Sequence, residues 1–272
     1  MSIKMNENHT ILFFHLLFCI PVIFGLFPSK SLGVTPRFKV EEQWTGDLDG
    51  MQKRNYIRAL VPYSKTFYFL DGADQRGLTY ELLNEFEKYI NNRLQKKTIK
   101  LQIIIIPTKR DQLLDDLVKG RGDIAAGNLT ITSNRLARVS FSQPLLTDVD
   151  EIIATNKNSP PLDTVHDLSN KEIYVRKSSS YYESLLSLNE RLTKARKKSC
   201  RIKTVDPLLE DEDLLEMMDA GLLPMIAIDS HKGLFWEQIF KNIILYPDIK
   251  INSSGEIGWA VRKQSRKLLL LK

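Results

Sequence analysis

The sequence predicts an α/β protein of two lobes, each a mostly parallel sheet flanked by helices, with a ligand cleft between the lobes. Apolar β-branched runs alternate with amphipathic helical segments up to Pro144, and a second alternation of the same kind follows. The chain has 272 residues, of which 43% are hydrophobic and 26% charged, which is typical of a folded protein with room for two cores. A disordered chain is excluded by this composition.

The first alternation has the order strand, helix, strand, helix, strand. Its predicted elements are strand Ile57–Val61, helix Tyr80–Ile90, strand Ile99–Ile106, a helix that Thr108 caps and Gly120 ends, and strand Ile124–Leu129. The nearly continuous β-branched run from Ile99 to Ile106 predicts a strand that is buried on both faces. This order favours a parallel sheet with right-handed crossovers.

The second alternation predicts strands Glu151–Thr155, Glu172–Val175, Ile202–Val205 and Met225–Ile228, with helices from Tyr181 and over Leu214–Met218. We expect the chain to cross between the lobes at Thr155 and to return near Ser253–Ile257, before strand Ile257–Val261. Two crossings form a hinge on which the lobes can close. The expected division is residues 56–154 plus 257–272 for lobe 1 and residues 155–256 for lobe 2.

An uncharged apolar run, Ile11–Phe27, precedes these elements. Its 17 residues are long for the core of a signal peptide and short for a spanning helix, so cleavage and anchoring both stay open. Residues 1–33 are therefore predicted to be a signal peptide or a membrane anchor, and residues 34–55 a lead-in segment. Both alternatives predict export to the periplasm or the outer face of the cell envelope.

Several functions find no support in the residues. Two cysteines give no disulfide framework, and the four histidines lack metal-ligand spacing, so we expect no metal. No phosphate-binding or dinucleotide motif and no nucleophile elbow is present, so we expect no cofactor and no catalytic residues in this chain. The net charge of +6 comes without a nucleic-acid recognition motif, which argues against a nucleic-acid partner. The acidic run Glu210–Asp213 is interpreted as a solvated helix start.

The strongest candidate for ligand binding is Arg135, which follows the predicted strand end Thr130-Ile131-Thr132. A guanidinium offers a rigid fork of donors that matches a carboxylate, and Thr130 and the backbone around Asn128 can add neutral hydrogen bonds. An aromatic-Ser-x-Pro turn, Phe141–Pro144, closes the segment. The pattern indicates a grip for a small anion or an amino-acid carboxylate.

The second lobe supplies further candidates. Ser180-Tyr181-Tyr182-Glu183 has the form of a capping box, so Ser180 is predicted to open a helix. Backbone N–H groups at such a helix start, with the hydroxyls of Ser179 and Ser180, form an anion site. Asp229 ends a buried strand, where it can project into a cleft or cap the helix near His231.

The stretch LTITSNRLARVSFSQPL (residues 129–145) resembles the signature of bacterial extracellular solute-binding proteins of the amino-acid type, with periplasmic-binding-protein-like lobes. The resemblance extends from about Tyr56 to Lys263. It implies that a ring from the aromatic loop, Phe67 or Tyr68, packs over the ligand, and that Asp229 meets the ligand ammonium. Thr79, Ser178 and Pro224 depart from the family pattern, which leaves the ligand's identity open.

Three further phrases, WTGDLDGMQKRNYIRALVPYSKTFYFLDG, LLEMMDAGLLPMIAIDSHK and EIGWAVRKQS, resemble the N-terminal, non-catalytic module of the membrane-bound lytic murein transglycosylases of the F type. Two functions follow from the resemblance. One is an exported module that binds an amino acid or a peptidoglycan-derived peptide through its carboxylate, as sensor or carrier. The other is a truncated transglycosylase whose catalytic domain is absent from this chain. The implied partners are a permease or a catalytic domain, with membrane or cell-wall association.

Overall fold

The computed structural model describes residue 40 and residues 42–95 and 98–271, so the predicted export segment lies outside the described residues. The strands are β1 (Tyr56–Val61), β2 (Phe69–Asp71), β3 (Asp74–Arg76), β4 (Gln102–Pro107), β5 (Ile124–Thr130), β6 (Ser140–Phe141), β7 (Leu146–Asn156), β8 (Glu172–Val175), β9 (Arg201–Thr204), β10 (Met225–Asp229) and β11 (Ile243–Val261). The α-helices are α1 (Leu48–Arg54), α2 (Leu78–Arg93), α3 (Leu113–Val118), α4 (Ser133–Leu136), α5 (Ser180–Lys194), α6 (Asp211–Asp219), α7 (Ser230–Trp236) and α8 (Arg266–Leu269).

The strands form a mixed sheet with the order β4-β1-β5-β11-β7-β10-β8-β9. At one end β4, β1 and β5 are parallel, and at the other end β10, β8 and β9 are parallel. The long strands β11 and β7 lie between these two sets and pair antiparallel with each other. Each parallel set has its own apolar cores, so the fold has two lobes, as the sequence predicts.

The strands β7 and β11 connect the lobes. Their pairing shifts register three times between Lys250 and Ile257, where β11 lies opposite Ile152, Glu151, Val149 and Leu146 of β7. Irregular pairing of this kind bends strands and lets them serve as a hinge. Because Glu151–Thr155 pair with β10 of the second lobe, we propose that the first crossing lies near Val149 rather than at Thr155.

Two local predictions are wrong for physical reasons. The strand predicted over Ile99–Ile106 is β4, which lies at the edge of the sheet and is only half-buried instead of being covered on both faces. Thr108 does not cap the following helix, because its hydroxyl donates to the carbonyl of Ile106. The chain instead passes through a short 3-10 turn, Arg110–Gln112, before α3.

The lead-in segment is tied to the first lobe by buried arginines. The fully buried guanidinium of Arg58 donates to the carbonyls of Val40, Glu42 and Trp44 and pairs with Asp123 at 3.1 Å. Arg262 also pairs with Asp123, at 3.2 Å. Carbonyl acceptors satisfy the donors of Arg58 that the single carboxylate leaves over, as burial of such a group requires.

Candidate functional site

A cavity of about 320 Å³ lies between the lobes. Its walls come from the carboxyl ends of β5 and β10, from α4, and from the start of α5. Six of the eight predicted site residues line it: Asn128, Thr130, Arg135, Ser179, Ser180 and Asp229. The fold therefore brings these six predicted residues to one cavity, together with other polar residues that the sequence did not single out.

Arg135 lies in the four-residue helix α4, which Thr132 caps by accepting a hydrogen bond from the Arg135 N–H. Arg135 is 8% exposed, and its guanidinium donates to the carbonyls of Thr130, at 2.7 Å, and Ser178, at 3.1 Å. No carboxylate of the described residues lies within 4.0 Å of it. Burial lowers the pKa of Arg135, and the charge of nearby Glu183 opposes that shift. A buried cation that lacks a carboxylate partner favours an anionic ligand.

The helix cap predicted for Ser180 is made by Ser179, and Ser180 contacts the first lobe instead. Ser179, not Ser180, caps α5 by accepting from the N–H of Tyr182, because the helix begins one residue earlier than predicted. The hydroxyl of Ser180 instead donates to the hydroxyl of Thr130 at 3.0 Å. Both hydroxyls are buried, so this hydrogen bond joins the two lobes directly beside Arg135.

Asp229 ends β10 and faces the cavity from the second lobe. Its side chain makes no helix-cap hydrogen bond, so the capping alternative is wrong. Oδ2 lies 3.0 Å from the ammonium of Lys232 and 3.5 Å from the amide of Asn128, whose positive φ of 52° is one that asparagine tolerates. Among the described residues the buried Oδ1 has no hydrogen-bond partner, so it is available to a ligand donor.

Behind the cavity lies a buried charge network that the sequence did not predict. Asp211, expected in a solvated helix start, is 3% exposed and pairs with Arg176 and with Lys232, the latter at 2.7 Å. The hydroxyl of Tyr181 donates to Asp211 at 3.1 Å. Burial would raise the pKa of Asp211, but Arg176 and Lys232 hold it well below its ordinary value. Asp211 is therefore an anion in the fold and fixes both cations near the ligand cavity.

Glu210 and Glu212 of the acidic run also make buried contacts, and these cross between the lobes. The guanidinium of Arg110 pairs with Glu210 at 2.7 Å, and the hydroxyl of Ser64 donates to Glu212 at 2.6 Å. The partners are 100 and 148 residues apart in the sequence. The interpretation of a solvated run is thus wrong, and the lobes are held together in a closed arrangement.

The aromatic loop lies beside the cavity rather than in its wall. Tyr68 is buried in the first-lobe core, and its ring stacks on Tyr63 at 5.4 Å. The ring of Phe67 lies 5.8 Å from the ammonium of Lys232. Gly77 packs against the backbone of this loop. At its φ of 112° an added Cβ would lie 2.5 Å from the carbonyl group of Phe67, so only glycine fits there without a shift of the loop. The structure therefore brings neither ring into the set of lining residues.

Arg110, Arg176 and Lys232 also line the cavity, and the sequence reasoning did not assign them a role there. Of these three residues, only Arg110 could have been predicted from its position in the sequence. It follows the carboxyl end of β4, and side chains after parallel strands meet at one edge of the sheet. The ion pairs of Arg176 and Lys232 could not be predicted from their own segments, because their partner Asp211 comes from another element.

Two lobes joined by paired crossing strands, with a charged cavity between them, define a solute-binding protein by architecture. Residues 59–270 match the bacterial extracellular solute-binding proteins, family 3, and the chain belongs to that family. Membership in a family of extracellular proteins indicates that this protein is located in the cell envelope. No helix among the described residues is long and apolar enough to cross a membrane, and no metal-binding group of three or more His, Cys, Asp or Glu occurs in that same part of the chain.

The chain is similar in sequence to membrane-bound lytic murein transglycosylases F of several bacteria. Membrane-bound lytic murein transglycosylase F of Pseudomonas putida (strain W619) is 27% identical over 75% of this chain and 38% of that protein. The protein of the same name from Saccharophagus degradans is 26% identical over 73% and 36%. The chain thus spans less than half the length of these relatives.

Solved structures with a similar fold include two arginine-bound proteins. An ancestral arginine-binding protein has a TM-score of 0.62 at 20% identity and covers 80% of this chain and 88% of that one. A truncated, arginine-bound form of ArgBP from T. maritima has a TM-score of 0.63 at 21% identity and covers 82% of this chain and 96% of that one. At these identities the likeness shows the fold alone.

Proposed function

We propose that this chain is an exported solute-binding module that holds an amino acid, or a peptidoglycan-derived peptide, by its carboxylate and ammonium between the two lobes. It acts in the periplasm or at the outer face of the envelope, as the sensor or carrier component of a larger system. Arg135 receives the carboxylate, with Thr130, Ser179 and Ser180 beside it, and Asp229 receives the ammonium with Asn128.

One observation carries the proposal. Arg135 and Asp229 face the same cavity from different lobes, and each has bonding capacity left over. Arg135 is buried without a carboxylate partner among the described residues, and Oδ1 of Asp229 is buried without a donor. An α-amino acid presents an acceptor for the first and a donor for the second. Leaving such groups unpaired is costly, so a ligand that satisfies both gains affinity.

Calorimetry with matched ligands tests this assignment. The protein is titrated with each of the twenty amino acids and with muropeptides, and then with two analogues of the tightest binder. One analogue is decarboxylated and the other lacks the amino group. We expect both analogues to bind at least about 100-fold more weakly, because each leaves a buried charge unpaired. If the decarboxylated analogue binds as tightly as its parent, the role of Arg135 is withdrawn. If the analogue without the amino group does so, the role of Asp229 is withdrawn.

The relatives favour a second function for the whole system. The transglycosylases that match are more than twice as long as the aligned segment, so this chain would correspond to their binding module. In that case the module works with a glycan-cleaving domain encoded beyond this chain. An adjacent reading frame for such a domain supports this alternative, and an adjacent permease gene supports uptake instead.

A further inference from the structure

Glu151 is a buried acid at the hinge that the site described above does not use. It lies on β7 opposite Asn252 of β11, within the region where the pairing of the two connecting strands shifts register. Its side chain is 1% exposed, and among the described residues neither carboxylate oxygen has a hydrogen-bond partner of good geometry. An ionised carboxylate in such a position is strongly disfavoured.

The groups around Glu151 do not offer it a compensating cation at close range. On β10 it faces Asp229, its direct cross-strand partner, so two carboxylates share one face of the sheet. From α5 it is approached by the hydroxyls of Ser180 and Ser184. The phenol of Tyr181, also on α5, is neutral, and its pKa is raised by burial and by the nearby carboxylates. Arg135 of α4 acts on it only at longer range. Burial raises the pKa of Glu151, the serines lower it, and Asp229 raises it further.

Ser180 connects this acid to closure of the lobes. Its hydroxyl reaches across to Thr130 of the first lobe, so the closed arrangement packs the start of α5 between Thr130 and Glu151. If the lobes open, Ser180 moves away from Thr130 and water can reach the hinge. Water stabilises a carboxylate far better than this enclosure does.

We infer that Glu151 is a proton switch of the hinge: the closed arrangement keeps it protonated, and its ionisation favours the open arrangement. Protonation of Glu151 removes the repulsion between two carboxylates that face each other across β7 and β10. The inference concerns the protein without ligand, so its tests are independent of the tests of the proposed function.

Thermal unfolding between pH 4 and pH 9 provides the first test, with Glu151→Gln as a permanently neutral variant. A raised pKa means that the folded protein binds a proton that the unfolded chain releases, so stability falls as pH rises from the ordinary to the raised value. We expect the variant to melt above the wild type by an amount that grows with pH. This difference in melting temperature should increase by about 3–5 °C for each pH unit between the ordinary and the raised pKa of Glu151. Above the raised pKa it should stay constant.

Asp150→Asn is the matched control, because Asp150 is the preceding residue on β7 and pairs with Lys250 at 2.7 Å near solvent. Its loss of charge should leave the melting temperature unchanged or slightly lower above pH 4. If Glu151→Gln does not fold, Glu151→Met serves as the neutral variant with the same expectation. If the difference in melting temperature between the wild type and the neutral variant does not change with pH, the inference is overturned.

Small-angle scattering supplies the second test. The radius of gyration of the wild type should be larger at pH 8 than at pH 5, whereas Glu151→Gln should keep the smaller value at both. A pH-dependent stability difference without any pH-dependent change in size would show that the proton is not coupled to closure, and the switch would be withdrawn.

Discussion

Replacing Asp211 by asparagine keeps the shape of the side chain and removes the charge on which the buried network depends. Asp211 is bonded to Arg176 through Oδ1 and to Lys232 and Tyr181 through Oδ2. After the substitution Lys232 keeps Asp229 at 3.0 Å. Arg176 keeps the carbonyl of Leu209 at 2.9 Å, but the only carboxylate of the described residues within 4.0 Å of it is then Glu210, at 4.0 Å. One buried guanidinium then lacks a close carboxylate.

Removing one partner of a buried ion pair costs about 3–5 kcal/mol, because the other charge stays desolvated and uncompensated. With a urea dependence of about 2–3 kcal/mol per molar, the unfolding midpoint should fall by about 1–2.5 M. Glu216→Gln is the matched control: the Glu216 side chain is 60% exposed and pairs with Lys65 at the surface, so its loss should cost less than about 1 kcal/mol.

The cost of Asp211→Asn should also depend on pH. Because the folded pKa of Asp211 lies well below its ordinary value, the stabilisation is present at neutral pH and is lost as pH falls below about 4. Urea unfolding at pH 7 and at pH 3 measures both values. A loss below about 1 kcal/mol at pH 7, or an equal loss at the two pH values, refutes the assignment of Asp211 as the anionic centre of the network.

Three other results are expected. Arg135→Ala should weaken binding of the tightest amino acid or muropeptide by about 2–5 kcal/mol, and Arg135→Lys should not restore it, because the planar fork is lost; calorimetry that shows unchanged affinity for both removes Arg135 from the site. Gly77→Ala should destabilise the fold more than Gly72→Ala, since both have positive φ but only Gly77 lacks room for a Cβ; equal urea midpoints would contradict this. The purified chain should release no anhydro-muropeptides from sacculi, and their release would force a search for an overlooked acid.

The sequence predicted the order of the elements well, because hydrophobic periodicity is a local property. Ile57–Val61 and Ile124–Leu129 lie within β1 and β5, and Glu172–Val175 is β8. The burial predicted for Ile99–Ile106 was wrong, since the composition of a strand does not say whether it lies at the edge of a sheet. The helix cap moved from Ser180 to Ser179 for a similar reason, because a run of serines offers more than one start.

The charges were harder to predict than the backbone. Arg135 was identified because its surroundings form a continuous motif, but the acidic run Glu210–Asp213 was interpreted from its sequence neighbours alone. Its partners Arg110, Arg176 and Lys232 come from three other elements. Whether an acidic run is solvated or buried depends on which cations the fold brings to it, and no local pattern contains that information.

The central claim is that Arg135 holds the carboxylate of a ligand whose ammonium lies at Asp229. A thermodynamic cycle tests it most directly: wild type and Arg135→Ala are each titrated with the tightest amino acid and with its decarboxylated analogue. If Arg135 contacts the carboxylate, the substitution weakens binding of the intact ligand by about 2 kcal/mol or more and leaves binding of the analogue nearly unchanged. Equal losses for the two ligands would contradict the claim, because Arg135 would then act on the fold rather than on the carboxylate.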